Sequence, residues 1–352
     1  MQTPSRRGGS RKAPRAHRLP NFLKKTTLEA KPRSGVQRRN HQRHREFTSR
    51  GLFLVFQTLS RLVDESSPLY TVREPHTRGR PPADPRDVVR FLLIRALEGW
   101  AFDTTFAHLT AVPGLAQLLG FRRVPHASTV IGHVSQIPPA YWEGLLQRLN
   151  LRLLTVFPDP WNLAGDSTGE GMHRYLRWRD QEYGLEGRRR DFVKLHALVV
   201  TRAQGPWFAA IHATPSNVTD VTELGRLLEQ LPIEVPLGNV ALDKGYQSRQ
   251  NAQLIVDCGG RPVMDLKADV RGHTGGGWPG GGPGRGEALR ERRDGRRFRC
   301  RYRRRAVIEG LFGAFKRMFG ERLRCRSTAH QFSELLARAA MWDVLAVVYH
   351  RT

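Results

Sequence analysis

The sequence predicts an α/β protein, in which a mixed sheet flanked by helices follows a small all-α region and a basic N-terminal arm. Three observations support this fold class. Residues 1–46 are rich in basic residues, proline and glycine. Residues 47–150 carry apolar residues at helical spacing, and residues 151–352 alternate between strand-like and helix-like patterns. The chain therefore divides into an arm, a helical domain and an α/β domain.

The charge of the chain restricts its partners. There are 58 lysines and arginines against 32 acids, which gives a formal net charge of +26 and a pI of about 11.3. Such a field attracts polyanions, chiefly nucleic acids and anionic membrane surfaces. No apolar run is long enough to span a bilayer, and the N-terminus lacks the apolar stretch of a signal peptide. We therefore expect a cytoplasmic protein that binds nucleic acid and not a membrane.

The three cysteines, Cys258, Cys300 and Cys325, are widely separated and show no Cys-x-x-Cys spacing. This pattern indicates neither a disulfide framework nor a zinc site. We expect reduced thiols.

The basic arm carries half of the net charge. Residues 1–50 contain 15 lysines or arginines and only two acids, Glu29 and Glu46. Because this segment has almost no apolar periodicity, we predict that 1–46 is disordered and contacts phosphates without sequence preference.

The helical region has clear start and stop signals. Asp84-Pro85 is typical of a helix start, and Pro113-Gly114 should separate two short helices. Ser128 or Thr129 is the expected N-cap of the next helix. Short helices of this kind resemble a helix-turn-helix bundle, so 47–150 is either a DNA-binding domain or an ordinary small bundle.

The α/β region predicts five strands and four helices. Three strand patterns come first, and then the order is helix, strand, helix, strand, loop, helix, helix. The strand patterns are, in order, WNLAGD, RDFVKLHALVVTR, GPWFAAIHATP, GNVALD and RPVMDLK. The first three can form an antiparallel meander, to which helical crossovers add the fourth and fifth. This is the strand order of an RNase H-like fold.

The loop over 271–298 is rich in glycine. It lacks the Gly-Lys-Ser/Thr ending of a phosphate-binding loop, so we do not predict a nucleotide site there. Two helices, near 302–319 and 328–350, should close the chain.

Three acids stand out by their location. Asp166 lies at the end of the first predicted strand, Asp243 at the end of the fourth, and Glu309 on the helix after the glycine-rich loop. Functional groups collect where strands end, and the first and fourth strands should be neighbours. Simpler roles remain open: Asp166 could be a turn residue, Asp243 a cap, and Glu309 a partner of an arginine one turn away.

Three converging carboxylates predict a metal site. Their mutual repulsion is costly unless one is protonated or a cation lies between them. Mg²⁺ prefers oxygen ligands, and two such ions roughly 3.5–4 Å apart can stabilise the attacking and leaving oxygens of a phosphoryl displacement. Together with the net charge, this favours metal-dependent cutting of nucleic acid.

The segment RCRYRRRAVIEGLFGAFKRMFG places four polar residues on one predicted helix face, at offsets of three, four and seven. They are Tyr302, Arg305, Glu309 and Lys316. The opposite stripe should pack on the sheet and consists of Val307, Leu311, Phe315 and Met318. Arginine and lysine beside a metal-binding glutamate can hold phosphates on either side of the cut.

This spacing, Tyr-x2-Arg-x3-Glu-x6-Lys, resembles the signature of one branch of the DDE transposases of bacterial and archaeal insertion sequences. The segments DST at 166–168 and DKGY at 243–246 look like the two aspartate segments of that family. The resemblance covers about 161–350 and, more loosely, 78–137.

The resemblance implies a function and a site. Asp166, Asp243 and Glu309 would bind two Mg²⁺ (or Mn²⁺) ions. The enzyme would cut double-stranded DNA at terminal inverted repeats, and each freed 3′-hydroxyl would attack target DNA. Arg305 and Lys316 carry over as phosphate-contacting residues. Tyr302 is grouped with them as a DNA-contacting residue that can donate a hydrogen bond, and a nucleophilic tyrosine is not implied.

The family resemblance also implies a homodimer or larger assembly on paired DNA ends, in a prokaryotic cytoplasm and associated with the nucleoid. Two other functions remain open. One is an inactive or domesticated DNA-binding relative, and the other is a stand-alone RNase H-like nuclease that cuts without joining.

Five further residues have no assigned role. We expect Glu170 and Asp265 to be exposed, although either could support a metal ligand. Lys194 and His196 share a sheet face, and a structural role is the expectation for His196. Lys267 is either solvated or in contact with DNA.

Overall fold

The computed structural model describes residues 51–66, 83–172, 192–202, 205–264, 287–288 and 295–351. The predicted basic arm lies outside these residues, as do Asp265, Lys267 and most of the predicted glycine-rich loop. Those predictions therefore stay predictions.

Six helices precede the sheet within the described residues: α1 (51–64), α2 (Pro85–Glu98), α3 (Phe102–Ala111), α4 (Pro113–Leu118), α5 (Ala127–Val134) and α6 (Pro139–Val156). The predicted start of α2 is confirmed, because Asp84 Oδ1 accepts a hydrogen bond from Arg86 N at 2.9 Å and Pro85 occupies the first turn. The helix ends at Gly99, whose φ of 66° suits glycine. The predicted break before α4 is also confirmed.

The predicted N-cap of α5 is wrong. The helix begins at Ala127, and its cap is His126, whose Nδ1 accepts a hydrogen bond from Ser128 N at 3.3 Å. A histidine ring nitrogen can accept this hydrogen bond in place of the side-chain oxygen of the usual capping residues, because the backbone of the cap residue, His126, is extended. The composition rule for N-caps does not anticipate this substitution.

The sheet has five strands: β1 (Trp161–Gly171), β2 (Phe192–Val200), β3 (Phe208–Pro215), β4 (Leu237–Leu242) and β5 (Arg261–Met264). Their spatial order is β3-β2-β1-β4-β5. The pairs β1–β2 and β2–β3 are antiparallel, whereas β1–β4 and β4–β5 are parallel. The predicted order is confirmed, and this mixed sheet flanked by helices is consistent with an RNase H-like fold.

The first strand is longer than predicted. The sequence pattern places its end at Asp166, but β1 continues to Gly171 and pairs with β2 throughout. Asp166 therefore lies in the middle of an 11-residue strand, opposite Ala197. The extension contains serine, threonine and glycine, which carry little strand signal of their own, so the partner strand decides its conformation.

After β3, helices connect the remaining strands, and further helices follow β5. The helices are α7 (Leu224–Glu229), α8 (Arg249–Asp257), α9 (Gly295–Tyr302), α10 (Ala306–Phe319) and α11 (Thr328–Arg351), and 3₁₀ turns cover Asp220–Thr222, Lys244–Tyr246 and Arg303–Arg305.

The predicted helix at 302–319 is in fact two helices joined by a 3₁₀ turn, and α9 begins inside the range predicted as a glycine-rich loop. The four polar residues of the signature are consequently not on one continuous helix face. The buried stripe of α10 also differs from the predicted one: it consists of Ile308, Leu311, Phe312, Phe315 and Phe319. Val307 and Met318 are only partly buried.

The core packs the sheet against helices that precede it in the sequence and against the last helix, which follows it. Helix α11 is buried along most of its length and packs against α2, α6 and β3. Asn150 of α6 donates to Ala209 O at 2.9 Å, and Asp343 of α11 accepts from Phe208 N at 2.9 Å. One hydrophobic cluster contains most of the buried apolar residues of α2, α6 and the sheet. The predicted boundary between a separate helical domain and the sheet stays a prediction.

Among the described residues, no helix is both long enough and apolar enough to cross a bilayer.

Candidate active site

The two aspartates lie side by side because β1 and β4 pair in parallel up to the residues just before them. Gly165 of β1 pairs with Leu242, the last residue of β4. A Cβ atom at Gly165 would collide with the Leu242 side chain and lie 3.1 Å from that of Leu198, so these buried leucines occupy the space that a larger residue would need. Asp166 and Asp243 are the next residues of the two parallel chains, as the predicted strand order requires.

A single guanidinium joins all three predicted acids. Arg305 Nη1 lies 3.0 Å from Asp166 Oδ2 and 3.6 Å from Asp243 Oδ1. Its Nη2 lies 2.9 Å from Glu309 Oε1, one turn further along α10. The structure therefore brings together three carboxylates that are remote in the chain, around the positive charge of Arg305.

The electrostatics of the cluster follow from partial burial and mutual charge. Burial raises the pKa of Asp166, and the charges of Asp243 and Asp220 act in the same direction. The backbone N–H of Ser167 and the Arg305 guanidinium oppose this shift. Burial lowers the pKa of Arg305, but Asp243 and the other acids outweigh it, so the net pKa is raised. Arg305 therefore stays charged and opposes protonation of Asp166.

The exposure of the three carboxylates increases from the sheet outward. The Asp166 side chain is 21% exposed, that of Asp243 42% and that of Glu309 57%. An open cluster of this kind is accessible to a large substrate such as a duplex.

The three carboxylates suit a hard divalent cation by chemistry, because Mg²⁺ and Mn²⁺ prefer carboxylate oxygens. Within the part of the chain that the structure describes, no three His, Cys, Asp or Glu side chains are gathered closely enough to hold a metal ion as they stand. The Arg305 guanidinium lies between the acids instead. The donor set therefore fits such an ion in type, and the side chains would have to close around it.

Lys316 reaches back to β1. Its Nζ donates to Gly169 O at 2.8 Å and lies 4.0 Å from Glu170 Oε1. The expectation that Glu170 is exposed is wrong, because this side chain is fully buried. The extra length of β1 explains the difference: Glu170 lies within the strand, on the same face as Asp166, and α10 packs over it.

The burial of Glu170 makes the stability of the protein depend on pH. Neither carboxylate oxygen has a hydrogen-bond partner among the described residues. Burial raises the pKa of Glu170 from 4.5 to about 7, although Lys316 and Arg338 oppose the shift. Since the folded chain binds this proton more tightly than the unfolded chain, the contribution of Glu170 to stability should fall as pH rises from 4.5 to 7.

Replacing Glu170 with glutamine should remove this dependence. We expect the free energy of unfolding of Glu170→Gln, relative to wild type, to rise by up to about 3 kcal/mol as the pH increases across that interval. Urea unfolding at several pH values measures it. Glu229→Gln is the control, because Glu229 is an exposed glutamate at the end of α7. Identical pH slopes for wild type and Glu170→Gln would contradict the prediction.

Tyr302 is the last residue of α9 and lies near Arg305. Its ring stacks on Phe298 with centroids 5.5 Å apart and packs beside Ala241 and Val263 of β4 and β5. The Arg305 guanidinium carbon lies 5.8 Å from the ring centroid. Tyr302 therefore connects the sheet to the turn that carries Arg305.

The sequence analysis missed an acid, Asp220. Lys194 and His196 share a face of β2, as predicted, and both side chains meet this carboxylate: Oδ1 lies 3.1 Å from Lys194 Nζ and 3.2 Å from His196 Nδ1. His196 Nε2 is also 2.9 Å from Thr214 Oγ1, in agreement with a structural role. The sequence places Asp220 at the start of an amphipathic helix, where acids are common, so it offered no signal.

A groove of about 480 Å³ lies where β1, β4 and β5 begin, at the end of these strands opposite to the carboxylate cluster. It is lined by residues around Pro160, Leu237 and Gly260 and contains none of the predicted site residues. This groove is therefore not part of the candidate site.

Comparison with known proteins gives one finding. Residues 158–343 match the family described as Transposase DDE domain. The match begins just before β1 and ends within α11, so it contains the whole sheet and the three acids. No curated protein and no solved structure matches the chain.

Proposed function

The chain belongs to the transposase DDE domain family, and on this premise we propose that it cuts DNA at the ends of a mobile element and joins the freed 3′-hydroxyl to target DNA. The observation that carries the proposal is the convergence of Asp166, Asp243 and Glu309 on Arg305. These three carboxylates come from two neighbouring strands and a helix, as a site shared by several segments requires. We also propose that the chain belongs to the narrower branch with the Tyr-x2-Arg-x3-Glu-x6-Lys signature.

We assign the binding of two Mg²⁺ or Mn²⁺ ions to Asp166, Asp243 and Glu309. When bound, the ions would lower the pKa of an attacking water or 3′-hydroxyl and neutralise charge on the departing oxygen. Asp166 is held by the sheet and by the Ser167 N–H, which donates to its Oδ1 at 2.8 Å. Glu309 is the most exposed of the three and lies on a helix, so it can adjust its side chain when the site closes.

Arg305 and Lys316 have roles that their contacts support. Arg305 neutralises the three carboxylates in the absence of other cations, and its planar fork of donors also suits a phosphate. Lys316 is oriented by its bond to Gly169 O, which leaves its remaining N–H donors for a DNA phosphate.

The surface around the site is suited to DNA. The segment Gly295–Phe319 contains nine arginines or lysines and one acid, Glu309. This charge would attract the phosphate backbone without reading sequence. We also assign DNA contact to the arm at 1–46 and to the helical region at 47–150, and we propose that two or more copies act on paired terminal inverted repeats.

The test is incubation of the full chain with duplexes that carry the DNA flanking its own gene. With Mg²⁺ we expect nicks at the element ends that leave 3′-hydroxyls, and joined products when a target plasmid is added. Chelation of the metal should stop both reactions.

The same experiment separates the alternatives. Cutting without joining would indicate a stand-alone nuclease, and binding without cutting would indicate a DNA-binding relative. Either result would contradict the proposed function.

A further inference from the structure

Asp220 is a fourth carboxylate next to the cluster, on the other face of the sheet. It begins the 3₁₀ turn after β3, and its partners Lys194 and His196 belong to β2. Lys194 Nζ also donates to Val218 O at 2.9 Å, so the lysine ties both the carboxylate and the backbone of this turn to the sheet. Asp220 is thus held in place independently of the three predicted acids.

The first contact of Asp220 with the candidate site is through β1. Ser167 follows Asp166 in the chain and pairs with His196 across the sheet. Its hydroxyl is on the same face of the sheet as His196 and Asp220, and it helps to lower the pKa of the Asp220 carboxylate. Because successive side chains of a strand project to opposite faces, Asp220 supports β1 from the face opposite Arg305.

The second contact is with the segment that carries the other aspartate. Gly245 lies two residues after Asp243, in the 3₁₀ turn Lys244–Tyr246. A Cβ atom at Gly245 would lie only 2.9 Å from Asp220 Oδ2. The backbone of this turn therefore packs directly on the carboxylate, which the ion pair with Lys194 prevents from moving away.

Asp220 also keeps its charge under ordinary conditions. Burial raises its pKa, but the interactions with His196, Lys194 and Ser167 outweigh burial and hold the pKa well below the usual value. The contacts with β1 and with the turn are thus made by a permanent carboxylate.

We infer that Asp220 is a positioning residue, which holds the backbone next to Asp166 and next to Asp243 and so sets the spacing of these two carboxylates. The inference rests on the proposed function, since that spacing matters only if the two acids share a ligand. Groups that orient metal ligands typically change metal affinity or activity by 10- to 100-fold when they are replaced. We expect an effect of this size for Asp220.

The test uses Asp220→Asn, which keeps the size of the side chain and removes the charge that attracts Lys194. Mn²⁺ binding to the full chain without DNA, followed by electron paramagnetic resonance, should weaken by roughly 10- to 100-fold. In the metal-free protein, amide hydrogen exchange should be faster in peptides covering 161–171 and 243–248. Unchanged Mn²⁺ affinity would overturn the inference, whatever the exchange rates.

Ser167→Ala keeps the inference testable if Asp220→Asn does not fold. It removes the β1 hydroxyl on the Asp220 side of the sheet and leaves the ion pair of Asp220 with Lys194, so we expect a smaller loss of Mn²⁺ affinity in the same direction. Asp257→Asn, at an exposed acid on α8, should leave affinity and exchange unchanged. An unchanged affinity in Ser167→Ala would then count against the role of Asp220.

The wild-type titration separates the two proposals. If the wild type binds no Mn²⁺, the proposed function fails and this inference fails with it. If the wild type binds Mn²⁺ and Asp220→Asn binds it equally well, only the role of Asp220 is contradicted.

Discussion

Asp166→Asn should abolish metal-dependent DNA cleavage while leaving DNA binding intact. The substitution keeps the shape of the side chain but removes one charged ligand from the cluster. A loss of about 4 kcal/mol of transition-state stabilisation corresponds to a rate loss of roughly a thousandfold, and we expect at least that. Asp243→Asn and Glu309→Gln should behave alike, because all three acids meet around the same point. Cleavage of a labelled end duplex at saturating Mg²⁺ measures the effect.

DNA affinity provides the internal control for these variants. Each substitution removes a negative charge from a basic surface, so binding to the same duplex should be unchanged or slightly tighter. Asp159→Asn is the matched variant, since Asp159 is exposed and lies before the opposite end of β1. It should cleave at the wild-type rate. Near-full activity in any one of the three site variants would remove that residue from the proposed metal site.

Arg305→Ala should impair cleavage and make the stability of the protein depend on divalent ions. Without the guanidinium, Asp166, Asp243 and Glu309 face one another with no counter-charge, and the pKa of Asp166 should rise further. We expect cleavage to fall by roughly a hundredfold, which corresponds to about 2.7 kcal/mol. An added cation can replace the missing charge, so Mg²⁺ should raise the melting temperature of the variant more than that of the wild type.

Two variants complete this experiment. Arg305→Lys keeps the charge but cannot span the carboxylates with a planar fork, so it should give an intermediate Mg²⁺ response. Arg226→Ala removes an exposed arginine of α7 whose ion pair, at 3.5 Å, is with Glu143 of α6, and it should resemble the wild type. An equal Mg²⁺ response in Arg305→Ala and the wild type would show that this charge does not hold the acids together.

Much of the architecture could be predicted because it depends on local patterns. Apolar runs and turn residues located all five strands, and the order of strands and helices allowed few topologies. The predicted adjacency of the first and fourth strands also placed Asp166 beside Asp243. The start of α2 was predictable for the same reason, since Asp84 and Pro85 act within one turn of the helix.

The errors occurred where distant residues decide local structure. The end of β1 carries no strand pattern of its own and depends on pairing with β2, so the burial of Glu170 was missed. The 3₁₀ turn Arg303–Arg305 interrupts an otherwise continuous helical pattern, and it is this turn that directs Arg305 toward the sheet. Asp220 was missed because its partners, Lys194 and His196, precede it by more than twenty residues.

The sequence by itself determined the charge of the chain, the order of its strands and the three acids that could share a cation. These properties follow from composition and from periodicities within short segments. Only the tertiary structure decided that Arg305 lies between the three acids, that Glu170 is buried beside Lys316 and that Asp220 pairs with Lys194 and His196 of β2. Each of these contacts joins side chains from different elements, and its geometry exists only once the elements have packed.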